Sequence, residues 1–309
     1  MADSVETVEC STDLNSGTGS LVENKRLAQR PLTVSTAVCV MLIVLAGCAD
    51  PGRHAETLAR SGQLQRGQVN TDRFVLTSFY RIANPDRPLT VYIEGDGFAW
   101  RSRTIPSDDP TPHVATGLAL AAADPEANIV YLARPCQFTP QALDRHCDKA
   151  YWTDKRFSEE VVATMNQAVT HYAAQVPGQP INLIGYSGGG ALVVLIAARR
   201  HDVASLRTVA GNLDHAEVNR LHQVSAMPAS LNAIDVARQV AAIPQIHFSG
   251  TDDSVVPPLI AQRFVSATAS RCARSIFVAG MNHESDWARR WPDLLRFSPS
   301  CGASLQSLP

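Results

Sequence analysis

Residues 181–191 read INLIGYSGGGA, a mostly apolar run that passes through a glycine-rich turn. The apolar residues 181–185 predict a buried strand, and the apolar run after Gly188 predicts a buried helix. Between them lies a G-x-S-x-G pattern, in the strand–turn–helix setting that holds a serine hydroxyl clear of a sheet. Small residues are needed at Gly185 and Gly189 because strand and helix pass close together there. Ser187 is therefore a candidate nucleophile; the alternative interpretation is a tight structural turn.

Short apolar runs alternate with helical patterns on both sides of this stretch. The predicted strands are residues 74–79, 89–94, 128–132, 181–185, 206–210, 245–249 and 275–279. Several are apolar along nearly their whole length, which is typical of strands buried on both faces of a parallel sheet. Helical periodicity is clearest at residues 158–176, where Ser158 suits an N-cap, and at 188–200. The sequence predicts an α/β fold, with a mostly parallel sheet flanked by helices, in one domain over residues 73–309.

A serine hydroxyl is a weak nucleophile without a base, and two loops after predicted strands offer the missing groups. Residues 250–257 read GTDDSVVP, and residues 280–287 read GMNHESDW. In the chain order serine, acid, histidine, these loops offer Asp253 or its neighbour Asp252 as the acid and His283 as the base. Asp214, in an AGNLD run after another strand, is a further candidate for the acid.

With these three motifs in this order, residues 74–297 resemble the α/β-hydrolase superfamily, of bacterial lipoprotein type. The resemblance implies that Ser187 is the nucleophile, Asp253 the acid and His283 the base of a triad that cleaves carboxylic esters through an acyl-enzyme. The implied substrate is a small-molecule or lipid ester, and no cofactor is implied. A thioesterase or acyltransferase would use the same triad. A lipoprotein that keeps the fold only to bind a ligand is the alternative of a different class.

The resemblance also implies an oxyanion hole made of two backbone N–H groups. Gly188 supplies one, and the run EGDGF after the strand at 89–94 supplies the other from Asp96 or Gly97. That run resembles the superfamily's H-G-x-G, with Glu94 in place of the histidine. An acidic side chain at Asp96 opposes a developing anion unless it turns away or is paired. The alternative is an ordinary D-G turn.

Residues 134–157 form a polar insertion after a predicted strand. In an open α/β sheet such a segment lies near the mouth of the site. Arg134, Trp152 and Arg156 are candidates for shaping an acyl or alcohol pocket there. The alternative is a solvated loop held by a disulfide.

Four cysteines follow residue 48, and an even number in an oxidising compartment indicates disulfides. Three pairings are possible. We favour the local one, Cys136–Cys147 with Cys272–Cys301, because each bridge closes a modest loop. Free thiols are the alternative.

The first 47 residues carry the pattern of an export signal. Residues 32–47 are uncharged and mostly apolar, and basic residues precede them. Residues 45–48 read LAGC, which resembles the bacterial lipobox; Cys48 is thus the candidate lipidation site and residues 48–72 a tether. By analogy with lipoprotein sorting, Ala49 favours a lipid-anchored protein in the bacterial cell envelope, on the periplasmic side of the outer membrane. An ordinary signal peptide and an uncleaved anchor are the alternatives.

Residues 1–24 contain five acidic and no basic residues, which is atypical of a signal peptide and favours a start near Leu21 or Val22. The 309 residues have a net charge of −2 and are 45% hydrophobic, a globular composition rather than a disordered one. A pI near 6.5 argues against a nucleic-acid partner. The sequence has neither C-x-x-C nor H-E-x-x-H spacing, so no metal site is predicted. It does not specify an oligomeric state.

Overall fold

A computed structural model describes residues 50–302, which contain an eight-stranded sheet. The strands are β1 (Gln65–Asn70), β2 (Val75–Ile82), β3 (Leu89–Ile93), β4 (Asn128–Leu132), β5 (Ile181–Tyr186), β6 (Val203–Val209), β7 (Gln245–Gly250) and β8 (Ala273–Val278). Their spatial order is β1-β2-β4-β3-β5-β6-β7-β8. Strands β3 to β8 pair in parallel, whereas β1 pairs antiparallel with β2, and β2 antiparallel with β4. The predicted, mostly parallel sheet is confirmed.

Seven α-helices cover the two faces of the sheet in this part of the chain. They are α1 (Pro51–Ser61), α2 (Thr116–Ala122), α3 (Glu159–Ala173), α4 (Gly188–Ala197), α5 (His215–His222), α6 (Pro258–Thr268) and α7 (Trp287–Leu295). Apolar residues of α3, α4 and α6 belong to one core cluster, and those of α1, α2 and α7 to the other. All residues of α4 are buried, as its apolar sequence predicted. None of the helices in residues 50–302 is long and apolar enough to cross a membrane.

Residues 48–72 were predicted to be a polar tether, and for most of this segment the prediction is wrong. Residues 51–61 form α1, and residues 65–70 form β1 at the edge of the sheet. The segment is polar because α1 buries only the small side chains of Ala55 and Ala59, while β1 buries Val69 alone. Strand β1 is held mainly through backbone pairing with β2. The hydrophobicity of its side chains could not predict that pairing. The predicted signal peptide and Cys48 lie outside the described residues.

Both predicted disulfides are present. Cys136 bonds to Cys147, and Cys272 bonds to Cys301. The first closes a loop within the insertion at 134–157, and the second ties the segment before β8 to the chain beyond α7. In the loop-entropy model each bridge stabilises the fold by roughly 3–4 kcal/mol.

Candidate active site

Ser187 occupies the sharp turn between β5 and α4. Its φ of 50° and ψ of −119° lie in a region that residues other than glycine rarely adopt. The turn is fixed by backbone hydrogen bonds of 2.9 Å, because the Ser187 N–H donates to Val209 and the Ser187 carbonyl accepts from Gly190 and Asn212. The side chain is 9% exposed and borders a cleft. The strand–turn–helix predicted from the sequence is therefore observed, and its serine has a strained backbone conformation.

The three residues predicted as a triad are joined by hydrogen bonds. His283 Nε2 lies 3.0 Å from Ser187 Oγ, and His283 Nδ1 lies 2.9 Å from Asp253 Oδ2. Asp253 is 3% exposed, and its other oxygen accepts from the backbone N–H groups of Val255 at 2.9 Å and Val256 at 2.8 Å. These bonds fix the carboxylate so that the imidazole can donate from Nδ1 and accept the serine proton at Nε2.

The two other candidate acids lie elsewhere. Asp252 is exposed, and its side chain accepts from Thr251 Oγ1 at 2.9 Å. Asp214 caps the N-terminus of α5 and forms an ion pair with Arg263 at 3.1 Å. Neither carboxylate contacts His283, so of the three candidate acids Asp253 is the one that the structure brings to the imidazole.

The histidine loop is held by two side chains that the sequence analysis did not single out. The His283 carbonyl accepts from the Tyr186 hydroxyl at 3.0 Å and from Trp287 Nε1 at 3.2 Å. Burial raises the pKa of Tyr186, so its hydroxyl remains a donor. The Tyr186 ring also lies 5.5 Å from the imidazole, centroid to centroid. Tyr186 directly precedes the nucleophile, and that position was the only signal that could have identified it.

Glu94 has a structural role at the start of the predicted oxyanion loop. It is buried and accepts from the N–H of Gly95 at 2.9 Å, the N–H of Gly117 at 3.0 Å and the Tyr131 hydroxyl at 3.0 Å. It thus joins the loop to the first turn of α2, whose own N-cap residue, Ala115, supplies no side-chain acceptor. Burial raises the pKa of Glu94, while these hydrogen bonds oppose that shift.

The backbone donors predicted for the oxyanion hole lie close together. A Cβ added to Gly188 would overlap the Asp96 carboxylate, so the two residues pack directly against each other. Within residues 50–302, the N–H groups of Gly188, Asp96 and Gly97 find no protein acceptor. Gly97 has a φ of 68°, and a side chain there would collide with the Pro110 carbonyl. The loop is thus shaped by close packing, and its donors are free for a ligand.

Asp96 is paired, as an acidic residue at this position requires. Its Oδ1 accepts from Arg134 Nη1, and its Oδ2 lies 3.3 Å from Arg156 Nη1. Burial by itself would raise the pKa of Asp96, but attraction by Arg156 and Arg134 holds it below its usual range. The carboxylate is therefore ionised and neutralised before any substrate charge develops beside it.

A cleft of about 680 Å³ opens beside Ser187. Its walls include apolar side chains from α5 and the following loop, among them Val218 and Met227, and that wall was not predicted from the sequence. Of the three insertion residues singled out, Arg156 lines the cleft and Arg134 lies buried against Asp96. Trp152 instead belongs to the core, where its Nε1 donates to the Ser107 carbonyl. No cluster of potential metal ligands occurs in the described part of the chain.

Strand order, elbow and loop positions together define the α/β-hydrolase fold, as predicted. Solved structures share it at low sequence identity. A Pyrococcus furiosus esterase superposes with a TM-score of 0.54 at 9% identity, covering 77% of this chain and 92% of that one. The esterase domain of a Rhodothermus marinus protein superposes with a TM-score of 0.50 at 14% identity, covering 75% of this chain and 96% of that one. A puromycin hydrolase superposes with a TM-score of 0.54 at 15% identity over 75% of this chain. The match covers only 37% of the puromycin hydrolase chain.

No family model matches the sequence, and no curated protein matches it. At these identities the likeness to the solved structures establishes the fold.

Proposed function

We propose that this protein is a serine hydrolase that cleaves carboxylic esters through a Ser-His-Asp triad and an acyl-enzyme. The observation that carries the proposal is the hydrogen-bonded series from Asp253 through His283 to Ser187 at the edge of an open cleft. Esterases among the solved structures of this fold support the same reaction class. A protein that only binds a ligand would not need these three side chains to be joined by hydrogen bonds.

The proposed acylation step follows from the geometry. His283 Nε2 takes the Ser187 proton as Oγ attacks the ester carbonyl carbon, and Asp253 stabilises the imidazolium that forms. The carbonyl oxygen becomes an oxyanion and accepts hydrogen bonds from the N–H groups of Gly188 and of Asp96 or Gly97, which have no protein acceptor within residues 50–302. The N-terminus of α4 adds a favourable partial positive charge there.

The remaining steps return the enzyme to its starting state. The tetrahedral intermediate expels the alcohol, which receives the proton from His283, and Ser187 is left acylated. Water then attacks the acyl group while His283 takes one of its protons. The carboxylic acid leaves, and that proton returns to Ser187 Oγ. This sequence consumes one water per ester.

An activated serine should react with a fluorophosphonate probe. We expect the native full chain to be labelled on Ser187, whereas the Ser187→Ala variant and a heat-denatured sample remain unlabelled, because only the folded site activates that hydroxyl. In-gel fluorescence and mass spectrometry of the labelled peptide provide the measurement. A folded protein with both disulfides formed that takes no label would contradict the proposal and favour a ligand-binding role.

We also propose that the protein is exported and anchored through a lipid on Cys48. The LAGC pattern and the two disulfides, which suit an oxidising compartment, support this. Metabolic labelling with a clickable fatty acid should therefore mark the wild type and a Cys39→Ser control, but not Cys48→Ser. Label that persists in Cys48→Ser, or is absent from the wild type, refutes the anchor.

A further inference from the structure

We propose that the cleft beside Ser187 selects esters that carry a carboxylate, which the guanidinium of Arg156 binds. This inference rests on the proposed hydrolase function and assigns that function a substrate class. Three observations lead to it: unpartnered buried polar groups, an uncompensated positive charge, and the position of Arg156 relative to the nucleophile.

Unpartnered buried polar atoms concentrate around this cleft. Six buried side-chain polar atoms in residues 50–302 have no hydrogen-bond partner, and four of them belong to Arg156 (Nε), Asn212 (Oδ1) and His215 (both ring nitrogens). The other two, Arg207 Nε and Arg274 Nε, belong to residues that do not line the cleft. Arg156 and Asn212 line the cleft, and His215 stacks on Phe157, whose ring centroid lies 5.6 Å from Arg156 Cζ. Native proteins leave few such groups unpaired, so their concentration at one site points to a polar ligand group.

Arg156 and Arg134 use their donors differently. Arg134 donates to the Asp96 carboxylate and to the Arg156 carbonyl, so it is committed to the protein. The Arg156 guanidinium is 13% exposed and contacts Asp96 at 3.3 Å, but donates no hydrogen bond to any other residue from 50 to 302. It therefore presents unused donors to the cleft, and a guanidinium fork fits a carboxylate.

The charges in the inner part of the cleft do not cancel. Within ion-pair distance, one carboxylate, Asp96, faces two guanidiniums, Arg134 and Arg156, so the paired groups carry an excess of one positive charge. The buried Glu94 carboxyl also attracts Arg134, but burial raises its pKa and so disfavours its charged form. At the rim, Arg103 and Asp154 are both exposed and carry opposite charges. A substrate group with a single negative charge would balance the inner set, and a carboxylate is such a group.

The position of Arg156 relates the proposed subsite to the reacting centre. One oxygen of the Asp96 carboxylate packs against Gly188, the residue after the nucleophile, and the other lies 3.3 Å from Arg156. Arg156 is therefore separated from the predicted oxyanion hole by the width of one side chain. Apolar walls that include Val218, Met227 and Val256 suit a short hydrocarbon segment between the ester and the carboxylate.

Matched esters test the proposal with the full-length protein. One pair places the charge on the acyl side, the half ester p-nitrophenyl glutarate against p-nitrophenyl glutaramate. The other places it on the alcohol side, para-acetoxybenzoate against para-acetoxybenzamide. In at least one pair, corrected for uncatalysed hydrolysis, we expect kcat/KM to favour the carboxylate by about tenfold or more.

Variants then test whether Arg156 is responsible. In Arg156→Gln the ratio of kcat/KM values should fall to about one, and Arg156→Lys should retain part of it because the charge remains. Arg199→Gln is the matched control, since Arg199 pairs with Glu159 and neither residue lines the cleft, and its ratio should equal that of the wild type. The ratio is the readout because a general loss of structure lowers kcat/KM for both esters of a pair by the same factor.

Inhibition provides a measurement that needs no variant. At constant ionic strength, glutarate should inhibit hydrolysis of the neutral esters at lower concentration than the uncharged diamide of the same acid. A wild type that cleaves both members of each pair equally, or a preference that survives in Arg156→Gln, overturns the proposal. A wild type that takes no fluorophosphonate and cleaves no ester would instead refute the hydrolase function itself.

Discussion

Replacing Ser187 or His283 by alanine is expected to lower kcat by roughly 10⁴- to 10⁶-fold, and the double variant should lose no more than either single one. The reason is the direct hydrogen bond between them, with His283 Nε2 at 3.0 Å from Ser187 Oγ. Neither group can perform its part of the proton transfer once the other is absent. Steady-state kinetics on a simple p-nitrophenyl ester provides the measurement, with Ser61→Ala and His171→Ala as exposed controls.

The neighbouring acids give a sharper comparison within one loop. Asp253→Asn should reduce kcat by about 10⁴-fold, because an amide at this position favours the wrong imidazole tautomer. Asp252→Asn should retain nearly full activity, since the Asp252 side chain accepts only from Thr251 in the structure of residues 50–302. Losses that add between Ser187 and His283, or a larger loss at Asp252 than at Asp253, would contradict the triad assignment.

The sequence could predict the parts of this protein that local patterns encode. The elbow, the buried parallel strands and the loops that carry Asp253 and His283 each need only residues adjacent in the chain. The missed helix α1 does carry a local signal, Asp50 followed by Pro51, which was not used, but the missed strand β1 carries none. Strand β1 has one buried side chain, Val69, so only its backbone pairing with β2 makes it a strand.

The surroundings of Asp96 could be predicted only in part. Its need for a partner follows from its place in the oxyanion loop, and the two arginines lie in an insertion expected near the site. Which arginine would be buried and which would line the cleft depends on how that insertion packs. The structure places Arg134 beneath the loop and Arg156 at the cleft, and this difference separates a structural ion pair from a candidate substrate contact.

Adding a single methyl group at Gly189 should destabilise the whole site. A Cβ there would overlap the carbonyl oxygen of Ile93 and lie 2.6 Å from that of Glu94, at the end of β3. These are backbone atoms, and β3 is held in the sheet by pairing of Ile93 with Leu132 and Gly185. We expect Gly189→Ala to lose about 1–3 kcal/mol of unfolding free energy, or roughly 3–10 °C in Tm, by overpacking.

The same substitution should reduce activity beyond its effect on stability. Glu94 leads directly into Gly95, Asp96 and Gly97, so moving the end of β3 displaces the proposed oxyanion donors from Gly188. Thermal unfolding followed by circular dichroism, together with kcat measured well below Tm, separates the two effects. Gly52→Ala is the matched control, since Gly52 lies in α1, where alanine is the better helix former, and the nearest atom to its new methyl group belongs to the exposed side chain of the N-cap residue Asp50, at 3.2 Å, rather than to backbone. A Gly189→Ala protein with the Tm and kcat of the wild type would mean that β3 and α4 need not pass this closely, and the requirement for glycine in the elbow would then be unexplained.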